Sequence, residues 1–269
     1  MRWLTLFSRL KLRHVKSLRL GLALFFSSAK TIFFDHKIYF WFCFLLFLSE
    51  IFLVISLSAL RFSYDYFFIN ILQIDDFLIS LLQQLPFLSS DSIGKSFALL
   101  SIIVFINFKN FIIFLSTIYT LKQLNTPINR SYFLKKIIIW SLVELSAYGI
   151  ISYLGMITFL QFLWAGLTFF IVPLLLTTSS SFIHTFYYSF ILLKKRIMNI
   201  VSAEFLFETV VYGISLFLAQ WDNQSASIPF PILNVKTYLV IAFIFYSSSL
   251  IIIAQTVLVS FLYTLDIKD

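Results

Sequence analysis

The Lys and Arg residues of this 269-residue chain are placed unevenly. They gather ahead of the first long apolar run and then in every second connection between such runs. The intervening connections are poor in Lys and Arg and hold most of the loop Asp residues. A chain threaded back and forth through a bilayer in one orientation carries this alternation, because cytoplasmic loops keep an excess of Lys and Arg.

Composition supports the same reading. Charged residues make up 12% of the chain and hydrophobic residues 60%, against about 25% and 45–50% in a soluble domain. A water-soluble fold would lack the polar surface to cover such a core, and lipid removes that conflict. The formal charge of +8 comes mostly from loop cations that set orientation. They are not interleaved with a base-stacking platform, so the chain offers nothing to a nucleic acid. Cys43 is the one cysteine, lies in an apolar run and has no intrachain disulfide partner.

A helix needs about 20 apolar residues to cross the hydrocarbon core. Six stretches are expected to do so: Ile38–Leu60, Phe97–Leu121, Ile137–Leu154, Phe159–Thr177, Glu204–Leu218 and Tyr238–Leu265. The fifth is short and has two glutamates near its start. Between the third and fourth, only a tight hairpin around Gly155–Met156 fits. With the first segment inside, residues 1–37, 122–136, 178–203 and 266–269 are cytoplasmic and hold sixteen Lys and Arg. The external pieces hold three: Arg61, Lys95 and Lys236. That imbalance orients the chain with both termini cytoplasmic. The expected fold is a single all-α domain over residues 1–269. It is a multi-pass bundle of six transmembrane helices with amphipathic interfacial helices, placed in a bacterial cytoplasmic (inner) membrane.

Three segments are expected at the membrane surface. Residues 1–37 lack a clear cleavage site and read as a retained basic segment, not a signal peptide. Trp3, Phe7 and Leu10 share one helical side there, and Arg9, Arg13 and Lys16 meet anionic headgroups. In the external connection 61–96, Phe67–Leu85 reads as an amphipathic or shallow re-entrant helix stopped by Pro86. In the cytoplasmic connection 178–203, Phe182, Phe186 and Phe190 form one row of a second amphipathic helix. Lys194, Lys195 and Arg196 follow at its C-terminal end, facing the helix dipole and headgroups.

Five charges fall inside the spans. Glu50 and Lys109 lie near the centres of the first and second, with Asn107 and Asn110 flanking Lys109. Glu144 and Glu208 lie about a turn to the cytoplasmic side of centre in the third and fifth, and Glu204 nearer that boundary. A central charge costs about 2.5–3.5 kcal/mol on insertion scales, so such groups turn inward and seek partners. Lys109 is expected to pair with Glu50 or Glu144, with the asparagines bonding across helices. The same set could instead line a path for a proton, ion or small solute. Pro173, inside the fourth span, is expected to kink it.

Reaction chemistry is missing from the sequence. It has no HExxH, CxxC, GxSxG or P-loop pattern. His14, His36 and His184 are far apart and without carboxylates at ligand spacing. No catalytic residue, metal site or cofactor is expected, and the chain reads as a non-enzymatic protein.

One stretch carries a resemblance. The run Thr168-Phe169-Phe170-Ile171-Val172-Pro173-Leu174-Leu175-Leu176 is followed by Thr177 to Ser181, then Phe182 to Ser189 and Lys194-Lys195-Arg196. This resembles the pattern of the DUF6159-like and, more distantly, the YciC-like bacterial integral membrane proteins and the membrane domains attached to glycerophosphodiester phosphodiesterases. The segment Phe25 to Asp35 also looks like the opening of that group. The chain has Thr177-Thr178 where the group carries an acidic residue. The resemblance implies a six-helix bundle with interfacial helices and brings no catalytic residue. The expected role is membrane organisation, as a scaffold for lipid, a protein partner or a second copy. The alternative is a permease or channel for a small ion, proton or solute.

Overall fold

The computed structural model describes residues 19–35, 37–58, 74–85, 92–129, 131–154, 157–179, 181–222 and 235–268. Helix α1 (residues 19–30) runs into one π turn, Thr31–Asp35. There follow α2 (Ile38–Ser58), α3 (Ile74–Gln84), α4 (Ser92–Gln123), α5 (Phe133–Leu154), α6 (Ile157–Thr168), α7 (Ile171–Thr177), α8 (Phe182–Asp222) and α9 (Val235–Lys268). No strand occurs among the described residues.

Four helical stretches among those residues are long and apolar enough to cross a bilayer: Ile38–Leu57, Ser92–Gln123, Phe133–Leu154 and Ala242–Leu265. Their side chains sort by helical period. On α2, Tyr39, Cys43, Leu46, Glu50, Leu53 and Leu57 are buried and recur every three or four residues. The opposite face, Trp41, Leu45, Leu48, Phe52 and Ile55, is exposed. A soluble helix would carry charges on such a face. Here both faces are apolar, as a lipid-solvated helix requires.

Helix α9 is central. It packs against both α2 and α4, and most of its residues from Ile244 to Thr264 are buried. Directions follow from cross-helix bonds at one end of the bundle. The first turn of α2 meets the end of α4, where Tyr39 Oη and Thr120 Oγ1 lie 2.7 Å apart. In the α4–α5 connection, the Asn129 N–H donates to Leu176 C=O of α7 (2.6 Å). Lys136 Nζ on α5 donates to Leu175 C=O (2.6 Å). Thr177 in turn bonds the Tyr263 hydroxyl near the end of α9. Thus α2 and α5 begin at this end, and α4, α7 and α9 finish there.

The turn out of α4 is built for that meeting. Asn125 takes a left-handed φ of 55°. Its N–H bonds Lys122 C=O, and the Thr126 N–H bonds Leu121 C=O. Such a paired closure satisfies the last carbonyls of a helix, and Pro127 just beyond prevents its continuation.

Two elements differ from expectation. The run Phe159–Thr177 does not form one kinked helix but breaks at Phe169–Phe170 into α6 and α7. Pro173 has no N–H for the Phe169 carbonyl four residues back, so the ladder stops there. Phe182–Met198 and Glu204–Leu218 are not separate elements. Both lie in the 41-residue helix α8, because no Pro or Gly occurs between Lys194 and Glu204 to stop it. Residues 178–203 are therefore mostly the first half of a long helix and not a free-standing connection. Helix α3 falls within the expected amphipathic segment Phe67–Leu85; it packs on α5 and α6, with Leu78, Ile79 and Leu81 buried.

Aromatic contacts fasten the broken pair to the bundle. Trp140 of α5 stacks on Trp164 of α6 with centroids 5.9 Å apart and planes 6° from parallel. Phe186 of α8 packs against both rings. At the other side, Gly21 of α1 allows a close crossing with α8. A Cβ there would fall 1.8 Å from Ser202 Oγ and 2.7 Å from Asn199 C=O.

Candidate functional site

The polar core starts from helix register. Glu50 is eleven residues on from Tyr39, and Lys109 is eleven back from Thr120. Eleven residues make about three turns, or about 16 Å. The antiparallel contact that joins Tyr39 to Thr120 therefore brings Glu50 and Lys109 to one level deeper in the bundle. Both are buried, at 0% and 2% exposure, as is Glu144 at 6%.

Lys109 pairs with Glu144. Its Nζ lies 2.9 Å from Glu144 Oε1, and the Tyr148 hydroxyl donates to the same oxygen at 2.7 Å. Asn110 Nδ2 donates to Glu144 Oε2 at 2.6 Å and contacts Ser141 Oγ at 3.1 Å. Lys109 also approaches the Tyr148 hydroxyl at 3.4 Å. Both carboxylate oxygens of Glu144 are thus occupied, which is the condition under which a buried ion pair is tolerated. The network joins α4 to α5.

Glu50 sits across the seam with other partners. Ser248 and Ser249 of α9 donate to its Oε1 at 3.3 and 3.2 Å. Its Oε2 has no hydrogen-bond partner. Lys109 lies within electrostatic reach of Glu50 and forms an ion pair with Glu144.

The remaining expected residues are placed as follows. Asn107 is half-buried and bonds back to Ile103 C=O of its own helix at 2.9 Å, so it takes no part in the cross-helix cluster through that bond. Pro173 is buried in the first turn of α7. Lys194 and Lys195 are exposed on α8, and Arg196 is half-exposed. Glu208 lies within α8, its side chain outside the described set. Arg9, Arg13 and Lys16 precede the described residues.

Several partners escape sequence reasoning. Ser141 and Tyr148 stand three before and four after Glu144, so helical spacing alone could have placed them on its face. Ser248 and Ser249 carry no comparable signal. Neither does Ser189 of α8, which bridges the break between α6 and α7. Its hydroxyl donates to Leu167 C=O at 2.8 Å and accepts from the Phe170 N–H at 3.3 Å.

A cavity of about 400 Å³ lies between the π turn, α2 and α9, lined by Phe33, Lys37, Trp41, Cys43, Tyr246 and Leu250 among others. Glu50, Lys109 and Glu144 do not line it. Among the described residues, no three His, Cys, Asp or Glu side chains gather as metal ligands. Comparison with protein families, with curated proteins and with solved structures finds no match to this chain.

Proposed function

We propose that this chain is a non-enzymatic integral membrane protein that organises its surroundings by binding anionic lipid along helix α8. The observation that carries this reading is the exposed face of α8. Ile183, Tyr187, Phe190 and Ile191 are exposed, then Lys194 and Lys195, then Ile197, Val201 and Phe205. A helix with apolar residues on both sides of a cationic step suits the boundary between acyl chains and headgroups. At 41 residues it is about 60 Å long, twice the hydrocarbon thickness, so a tilted α8 can reach from the interface through the bilayer. In this reading the half containing Glu204–Leu218 is the fifth span and the α6–α7 pair the fourth. Six crossings then leave both termini on the cytoplasmic side of an inner membrane. The interleaved loop cations support that orientation. The bonded state of Lys109 and Glu144 supports a packing role for them.

The test uses the full chain in nanodiscs of zwitterionic lipid, with and without an anionic phospholipid. A ligand that binds the folded state raises its unfolding midpoint. Anionic lipid should raise the midpoint of the wild type and raise it less for the K194Q/K195Q/R196Q variant. An equal response in both proteins would remove α8 as the binding face.

A further inference from the structure

Glu50 and Glu144 are held in opposite ways. Glu144 receives three donors on its two oxygens at 2.6–2.9 Å, one of them an ammonium. Glu50 receives two hydroxyls on one oxygen at 3.2–3.3 Å and nothing on the other. Hydroxyls donating to an ionised carboxylate close to about 2.5–2.7 Å. Both serine contacts are longer and lack the shortening that an ionised acceptor produces. A buried charge with so few donors would be far costlier than a buried neutral carboxyl.

Among the described groups that face Glu50, the cation in reach is already engaged. From α4, Lys109 is in reach, yet its ammonium is in contact with Glu144. From α9, the contacts are the two serines. On α2 itself, Cys43 lies within reach two turns back. Leu46 and Leu53, about one turn to either side of Glu50 on the same face, are fully buried. Ile106 and Ile112 flank Lys109 in the same way on α4. Apolar layers thus close the level of Glu50 above and below. A hard metal cation fits poorly, because it collects about six oxygens or more. Glu50, Ser248 and Ser249 together supply four.

We propose that Glu50 is an occluded proton-binding site. In the packed bundle its Oε2 carries the proton, its Oε1 accepts from Ser248 and Ser249, and Lys109 and Glu144 remain an ion pair, so the cluster is neutral. The proton comes from water and returns to water as an O–H bond forms and breaks at Oε2, and no other bond changes. Exchange requires the Leu46 or the Leu53 layer to part. This site is separate from the lipid face of α8 and stands whether or not that face binds lipid.

Infrared spectra of the full chain in nanodiscs at neutral pH, with and without ¹³C-labelled glutamate, test it. The expected result is a protonated-carboxyl C=O band that shifts with the label, disappears in E50Q and persists in K109M/E144Q, which removes the ion pair whole. E50Q should also keep the wild-type unfolding midpoint, since Gln preserves a neutral acceptor for both serines, while E144Q lowers it. No labelled band in the wild type would overturn the proposal, as would a band that survives E50Q. A sodium- or potassium-dependent midpoint that E50Q abolishes would overturn it too, by making the site ionic. If E50Q does not fold, the chain's four glutamates still allow assignment by elimination. A band retained in both K109M/E144Q and E204Q/E208Q is then that of Glu50, and its loss in either refutes the assignment.

Discussion

Lys109 Nζ and Glu144 Oε1 lie 2.9 Å apart at a level where Lys109 is 2% exposed and Glu144 6%. Removing one member of such a pair strands the other charge, at a cost of about 3–5 kcal/mol. Lys109→Met and Glu144→Leu should each lower stability by that order. The double variant should lose much less than the sum, because no charge remains stranded. Reversible unfolding in mixed micelles measures all three. Additive losses would mean that the pair is not coupled.

Ser189 holds the interrupted helix together from outside. Ser189→Ala leaves the Leu167 carbonyl and the Phe170 N–H without that partner, a loss of about 1–3 kcal/mol for a buried polar group. Pro173→Ala in that background should recover part of it, since the regained N–H can bond Phe169 C=O and let the helix run through. The unfolding midpoints of the single and double variants decide this, and no recovery would mean that Pro173 does not cause the break.

Glycines in the helices differ in the space around them. At Gly21 an added Cβ collides with Ser202 and with the Asn199 carbonyl, while at Gly149 and Gly213 it meets nothing within 4 Å. Gly21→Ala should therefore destabilise by about 1–3 kcal/mol through overpacking. Gly149→Ala and Gly213→Ala should be neutral or gain up to about 1 kcal/mol from helix propensity. Parallel thermal melts of the three variants make the comparison. A neutral Gly21→Ala would show that α1 does not cross α8 this closely.

Cys43 is the only thiol of the chain and is fully buried. It should resist a maleimide in the folded protein and react once the chain is unfolded in SDS. In a Cys43→Ser background, a cysteine placed at Asn125 should label from the face that also exposes Lys122. Sided labelling of vesicles then reads the orientation directly.

The spans that could be read from sequence were those defined by an uninterrupted run. Helices α2, α4, α5 and α9 each present about 20 predominantly apolar residues with no Pro among them, and lipid imposes that length regardless of neighbours. Interruptions were harder to interpret. Pro173 announces a missing donor, but only the fold reveals that Ser189 arrives to bridge the gap. Lys194, Lys195 and Arg196 imitate a helix end, and α8 passes through them because nothing removes a backbone donor there. Within the cluster, three buried charges could be listed from spacing. Lys109's pairing with Glu144 depends on how α4 registers against α5, and single-sequence periodicity carries no interhelix register.

Lys136 and Asn129 both grip the carbonyl end of α7, and that grip has a mechanical meaning. It makes a seven-residue helix part of the α4–α5 corner, so α7 travels with that corner. Helix α6 is held differently, by the packing of Trp164 on Trp140 and Phe186. The break at Phe169–Phe170 is then a joint between one hydrogen-bonded arm and one ring-packed arm, and the hydroxyl of Ser189 is its clasp.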